Sequence, residues 1–279
     1  MKSAPKTRSR GLGAIGVRLD LEPMEAKLVS ELPKDAGWQY EPKWDGFRCL
    51  AFCAGDEAEI KAKSGKSLSR FFPEVLENLR ALAAKTFVLD GELVIPVKGG
   101  LSFDALQMRL HPAESRITRL SVETPATFIA FDCLLRKSGQ ALLAKPFAER
   151  RTALEEFFED IGDHSGLAIT PFTRELRKAK KWLGDRQVSV DGVVAKRLAL
   201  PYQPGERAML KIKNLRTADC VVGGFRYESS QKVVGSLLLG LYDDHGRLHH
   251  VGFTSALADA EKPAPVSYTH LTLPTNREV

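Results

Sequence analysis

Glu41-Pro42-Lys43-Trp44-Asp45-Gly46-Phe47-Arg48 sets a Lys-x-Asp-Gly core between two apolar, strand-like stretches. Asp-Gly is a tight-turn dipeptide, because glycine tolerates backbone angles that other residues avoid. The flanking runs, Trp38–Lys43 and Phe47–Phe52, carry strand-type residues, and a third run, Ala58–Lys63, follows a Gly55-Asp56 turn. This part of the chain therefore reads as consecutive strands folded back on one another.

Working outward, Pro73 opens a helical spacing of Val75, Leu76, Leu79 and Leu82 within Phe72–Ala84. Strands are expected at Phe87–Val97, Thr127–Leu135, Val188–Lys196 and Ala208–Lys213. Further helices are expected at Ser102–Leu110, capped by Ser102, at Phe147–Phe158 and at Arg174–Leu183, with a short one at 24–32. The fold class is α+β, without the regular alternation of a doubly wound sheet. After Asn214, Cys220–Tyr227, Val233–Tyr242 and Leu248–Thr254 read as three strands, the last two joined by an Asp243-Asp-His-Gly246 turn. Three strands are too few to close a barrel, so this looks like the start of a small β domain. From Val266 onward the pattern changes, and the residues back-translate to a transposase-type sequencing-adapter end; 266–279 is expected to be non-native. The organisation expected is a flexible basic arm over 1–20, a large domain over 21–216, a partial β domain over 217–265 and that tail.

Composition sets looser bounds. The 279 residues carry a net charge of +6, and Lys2, Lys6, Arg8 and Arg10 stand without an acid among the first ten. A polyanionic partner fits this charge, as does an ordinary basic protein. Cys49, Cys53, Cys133 and Cys220 form no Cys-x-x-Cys pair and no zinc pattern, which suits a reducing compartment. No apolar run reaches membrane-spanning length and no secretory leader is read, so a cytoplasmic protein is expected.

Lys43 is the candidate nucleophile. An amine attacks phosphorus only when neutral, so neighbouring cations or desolvation must lower its pKa. Arg48, Lys196, Lys211 and Lys213 are the cations at hand. A lone lysine is more often a solvated charge. What raises the sharper reading is the order of the motifs downstream: Leu89-Asp-Gly-Glu-Leu93, Phe131-Asp132, Asp191-Gly-Val-Val-Ala-Lys196 and Leu210-Lys-Ile-Lys213. Glu92 and Asp191 are hard carboxylates of the kind that hold Mg²⁺ against phosphate oxygens. Phe131 ends an apolar strand, where an aromatic ring can stack on a base. Lys211 and Lys213 share one strand face, which suits a polyphosphate. Lys63, Lys66 and Arg70 lie in a Gly-containing basic loop without Walker A spacing.

These residues together resemble the ATP-dependent DNA ligases of the covalent nucleotidyltransferase superfamily, in particular the short bacterial ligases linked to Ku-dependent end joining and the ligase module of their multidomain relatives. The resemblance spans about Leu21 to Leu257 and includes Phe71-Phe-Pro-Glu74 and Phe103-Asp-Ala-Leu106. It implies a nucleotidyltransferase domain with ATP-grasp-like antiparallel sheets and flanking helices, followed by a truncated OB-fold. It implies that Lys43 takes AMP from ATP, that AMP passes to the 5′-phosphate of a nick in duplex DNA, and that the 3′-hydroxyl displaces it. Glu41 would meet the adenine edge and Phe131 its face. Arg48, Arg70 and Glu92 would hold ribose or phosphate. Glu92 and Asp191 would bind Mg²⁺ or Mn²⁺, and Lys211 and Lys213 would neutralise the triphosphate. A monomer working at the bacterial nucleoid, with a Ku-type end-binding partner, is implied as well.

The chain departs from the pattern in three places. Ala62-Lys63-Ser64-Gly65 lacks the serine that usually opens the basic loop, Asp191 stands where many ligases have glutamate, and the last basic motif of the OB domain is absent. The alternatives are another lysine nucleotidyltransferase, such as an RNA ligase or a GTP-using capping enzyme, and a non-catalytic nick-binding module.

Overall fold

A computed structural model of the chain describes residues 11–184, 190–214, 217–228, 231–255, 257 and 271–274. The chain divides into two compact units, 1–214 and 215–279.

The first unit contains β1 (Ala26–Leu28), β2 (Trp38–Trp44), β3 (Phe47–Ala54), β4 (Glu57–Ala62), α1 (Pro73–Ala81), β5 (Thr86–Val94), β6 (Pro96–Val97), β7 (Gly100–Leu101), α2 (Phe103–Met108), α3 (Glu114–Glu123), β8 (Thr127–Leu135), α4 (Phe147–Ile161), β9 (Leu167–Ile169), α5 (Leu176–Gly184), β10 (Val190–Arg197) and β11 (Met209–Lys213). Two larger sheets organise them. One runs β4-β3-β5-β8-β9, the other β1-β11-β10-β2, and β6 and β7 form a small hairpin.

The alternation of β3 shows why the five-stranded sheet sits in the middle. Cys49, Ala51 and Cys53 face one core with Val75, Leu79, Leu154 and Phe157. Leu50, Phe52 and Ala54 face a second core with Val88, Leu134, Tyr202 and Met209. Successive strand side chains point to opposite faces, so a strand apolar at every position must be covered on both sides. The four-stranded sheet repeats this. Val193, Ala195 and Tyr40 pack under Ala179 of α5, while Val194 and Met209 turn inward. The layers are thus helices, five-stranded sheet, four-stranded sheet, α5. Burying a large aliphatic or aromatic side chain contributes about 1.5–3 kcal/mol, so the two inner cores dominate the unit's stability.

Local signals act as expected at several points. Pro73 opens α1, and the Ser102 hydroxyl accepts a hydrogen bond from the Ala105 amide, capping α2. Elsewhere the structure differs. The stretch expected as a helix over 24–32 contains β1, because Ala26–Leu28 satisfies its backbone by parallel pairing with Met209–Lys211. α3 buries only Ile117 and Leu120, too faint an apolar stripe to stand out in the sequence. The arm expected over 1–20 does not extend through 11–20: Ile15 and Val17 are buried in the second core. The first ten residues lie outside the described part.

The second unit contains β12 (Thr217–Glu228), β13 (Gln231–Tyr242), β14 (Leu248–Thr254) and β15 (Leu271–Pro274), in the order β14-β13-β12-β15. Cys220, Val234, Leu237 and Leu239 form its small core. Asp243 makes the expected turn, its carboxylate accepting from the His245 and Arg247 amides. Of the stretch expected to be non-native, Leu271–Pro274 pairs with β12; the rest lies outside the described residues. All four cysteines are buried thiols. Among the described residues no helix is long and apolar enough to cross a membrane.

Candidate active site

Residues of both large sheets of the first unit line a cleft of about 230 Å³. Its walls follow from strand parity. On β2, Tyr40 faces α5, so Glu41 and Lys43 face inward, and both line the cleft together with Lys196 and Lys211. From the five-stranded sheet come Arg48, Glu92 and Phe131. Arg48 and Glu92 are directly opposed across β3 and β5, so they stand side by side on one face.

Lys43 is partly exposed, at 22 %, and its Nζ lies 2.7 Å from Asp191 Oδ2. A β-bulge at Val190/Gly192 brings Asp191 there. Gly192 permits the bulge: its φ is +150°, and a Cβ would lie 1.9 Å from the Ile212 carbonyl oxygen. Gly46, in the Asp45-Gly46 turn, lets the backbone pass close to β5, since a Cβ there would lie 2.2 Å from the Leu93 carbonyl oxygen.

Two of the cations expected to depress the Lys43 pKa have carboxylate partners of their own. Lys196 Nζ is 2.7 Å from Glu41 Oε2 and donates to the Phe131 carbonyl at 3.0 Å. Arg48 donates to Asp90 through Nε at 3.1 Å and Nη2 at 2.7 Å. Both partners are buried, as charges inside a protein must be paired. Burial works against the Arg48 charge, but Asp90 and Tyr202 outweigh it and raise the guanidinium's pKa. The Phe131 ring is close to both cations, its centroid 4.4 Å from Lys196 Nζ and 5.4 Å from the Arg48 guanidinium.

Glu41 also accepts from Gln39 Nε2 at 2.9 Å. Beside it, Gln39 Oε1 and Arg151 Nη1 are buried polar atoms without a hydrogen-bond partner among the described residues. Burial pushes the Glu92 carboxyl up to about 8, and the charges of Lys43 and Arg48 only partly offset it. A carboxyl in that state gains from a cation or from hydroxyl donors.

Among the described residues no group of three or more His, Cys, Asp or Glu gathers as a metal site. A Mg²⁺ ion keeps several waters and takes one or two carboxylates beside substrate phosphates. Glu92 and Asp191, both within the electrostatic reach of Lys43, fit that description.

Not every expected residue reaches the cleft. Arg70 is exposed, donates to the Pro112 carbonyl at 2.9 Å and lies over Phe71. Lys213 shares the inward parity of Lys211 but lies opposite Gly192 at the strand end. Asp90, Tyr202, Glu25 and the Asp132–Arg150 pair carry no motif signal that marks them for the site. Asp90 stands inside the Leu89–Leu93 motif, but its Asp-Gly pairing reads as a turn; Tyr202 lies in a loop with no pattern around it.

Residues 23–213 match the family described as ATP dependent DNA ligase domain. The chain is 45% identical over 246 residues to DNA ligase C of Mycobacterium tuberculosis, covering 87% of this chain and 68% of that protein. It is 31% identical over 212 residues to the multifunctional non-homologous end joining DNA repair protein LigD of the same species, covering 75% of this chain and 26% of LigD. A solved structure of mycobacterial DNA ligase D complexed with ATP and MES superposes with a TM-score of 0.55 at 27% identity, over 87% of this chain and 75% of that one.

Proposed function

This chain belongs to the ATP-dependent DNA ligases, and on that premise we propose how its residues divide the work. The enzyme uses ATP to seal 5′-phosphate/3′-hydroxyl nicks in duplex DNA through a lysyl-AMP intermediate, in end-joining DNA repair. The observation that carries the residue assignment is the position of Lys43: a partly exposed amine on the inner face of β2, in a cleft that also presents Arg48, Glu92 and Phe131.

Lys43 Nζ attacks the α-phosphorus of ATP. A nitrogen–phosphorus bond forms, the bond to the bridging oxygen breaks, and pyrophosphate leaves. The amine becomes nucleophilic once the proton it shares with Asp191 has left, and Asp191 is the acceptor already within hydrogen-bond reach. Next, an oxygen of the DNA 5′-phosphate takes the AMP and Lys43 recovers its proton. The 3′-hydroxyl then attacks the 5′-phosphorus and AMP departs.

Phe131 stacks on the adenine, and Glu41, its carboxylate fixed by Lys196 and Gln39, meets the base edge. Arg48 and Glu92, side by side, hold the ribose hydroxyls as donor and acceptor. Lys211, and Lys213 beyond it, neutralise phosphate charge. Arg70, expected with Arg48 and Glu92 to hold ribose or phosphate, takes the phosphate part from outside the cleft. Glu92 and Asp191 are the residues that would hold Mg²⁺ or Mn²⁺, which supplies positive charge to phosphate oxygens.

We further propose that the strands of the second unit are OB-type, that 266–279 is non-native, and that a monomeric enzyme works at the bacterial nucleoid with a Ku-type partner. Resequencing the gene through the Val266 codon run checks the tail.

Intact-mass spectrometry after incubation with ATP and Mg²⁺, followed by peptide mapping, tests the nucleophile. The expected result is one AMP on Lys43 and none on a folded Lys43→Ala variant. An adduct retained in that variant would place the nucleophile elsewhere.

A further inference from the structure

Behind Arg48 runs a hydrogen-bonded relay that reaches another wall of the fold. Arg48 holds Asp90 by two hydrogen bonds. The Tyr202 hydroxyl donates to Asp90 Oδ2 at 2.7 Å. The Tyr202 hydroxyl oxygen in turn accepts from the Met24 amide at 3.0 Å. Asp90 and Tyr202 are buried and touch no cleft space, yet the chain of contacts ends on a guanidinium that lines it.

The geometry fixes what each member can do. Asp90 Oδ2 receives both Arg48 Nη2 and the Tyr202 hydroxyl, and the Met24 amide leaves the tyrosine no freedom to turn its hydroxyl elsewhere. Nε and Nη2 of Arg48 are committed to Asp90, so Nη1 is the nitrogen left for a ligand. Glu92 is the cross-strand partner of Arg48 and lines the same cleft. A donor beside an acceptor matches a vicinal diol, whose hydroxyls each give and accept one hydrogen bond. The aim of Nη1 then depends on the plane of the guanidinium, which Asp90 sets and Tyr202 braces.

We propose that Tyr202 is a positioning residue for sugar recognition: through Asp90 it orients Arg48 so that the cleft distinguishes a ribonucleotide from a 2′-deoxyribonucleotide. This rests on the reading that Arg48 and Glu92 hold the ribose.

The test is equilibrium binding of AMP and 2′-deoxyAMP, which lack the pyrophosphate and so cannot react. Wild-type protein is expected to prefer AMP. Tyr202→Phe, which keeps the ring and loses the hydroxyl, is expected to weaken AMP binding about fivefold while leaving 2′-deoxyAMP binding nearly unchanged, the scale of one ordinary hydrogen bond. Asp90→Asn, which keeps an oxygen acceptor for Tyr202 but loses the charged fork on Arg48, should narrow the preference in the same way. It stands in if Tyr202→Phe fails to fold, as a thermal melt would show. Equal weakening of both nucleotides, or an intact preference in both variants, overturns the proposal. If Arg48→Ala leaves the wild-type preference untouched, the ribose reading itself has failed.

Discussion

Lys43 Nζ sits 2.7 Å from Asp191 Oδ2, so the nucleophile is held in an ion pair. An ammonium has no lone pair to offer. The pair therefore stores the amine in an unreactive form, and reaction begins with its separation. Removing the carboxylate takes away the proton's nearest acceptor. Asp191→Asn is expected to slow formation of the lysyl-AMP adduct by about 10²-fold or more, the usual span of general acid–base contributions, while Asp191→Glu keeps much of the rate. Rapid-quench mass spectrometry of the first step measures both; an unchanged rate in Asp191→Asn would sink the assignment.

Glu92 gives the fold a pH dependence. Its carboxyl titrates near 8 when folded, against an ordinary value of 4.5. Between those values the folded chain holds a proton that the unfolded chain has shed, so stability falls as pH rises from about 4.5 to about 8. Glu92→Gln cannot ionise, so its thermal midpoint should fall less across that window and exceed wild type above pH 8. Parallel curves for the two proteins would contradict this.

Arg150 and Asp132 form a buried bidentate pair, at 2.8 and 2.9 Å, under the strand that presents Phe131. Arg150→Met would leave the carboxylate without its partner, a loss of about 3–5 kcal/mol. Urea unfolding is the measurement. A loss below about 1 kcal/mol would mean that water already reaches Asp132.

Gly192→Ala would drive a methyl group into the Ile212 carbonyl at a backbone angle that alanine avoids. Such strain costs on the order of 1–3 kcal/mol, and relieving it would move the bulge that carries Asp191. Lower stability in urea together with slower adenylation is expected. A variant with full first-step activity would show that the bulge does not place Asp191.

How far the sequence could be read depended on the distance between partners. β3 announced itself by an unbroken apolar run, and Lys43 by the strand-turn-strand around Asp45-Gly46, because both signals are local. The relay through Tyr202 was invisible for the opposite reason: its hydroxyl meets Asp90 from 112 residues away, and no spacing rule joins a loop tyrosine to a strand aspartate. Asp90 itself reads as half of a turn dipeptide until the cross-strand register places it beneath Arg48. The stretch around Ala26–Leu28 was misread as a helix because three residues of edge strand carry no period, and only the partner strand at Met209 decides their conformation. Lys196 was read as a cation serving Lys43, and only the fold shows that Glu41 holds it.

Lys196 also reaches from one sheet to the other. Rooted in β10, its ammonium grips Glu41 on the adjacent strand and the carbonyl of Phe131 in the opposing sheet. One buried nitrogen therefore works as a rivet between the two sheets, and it sets the gap between the base-edge residue and the base-face residue. A bulkier purine analogue cannot widen that gap by prising the sheets apart, because doing so would strand an ammonium and a carboxylate in the interior. Competitive inhibitors of this enzyme should consequently find tolerance toward the mouth of the cleft, along the sugar and phosphates, and almost none at the heterocycle.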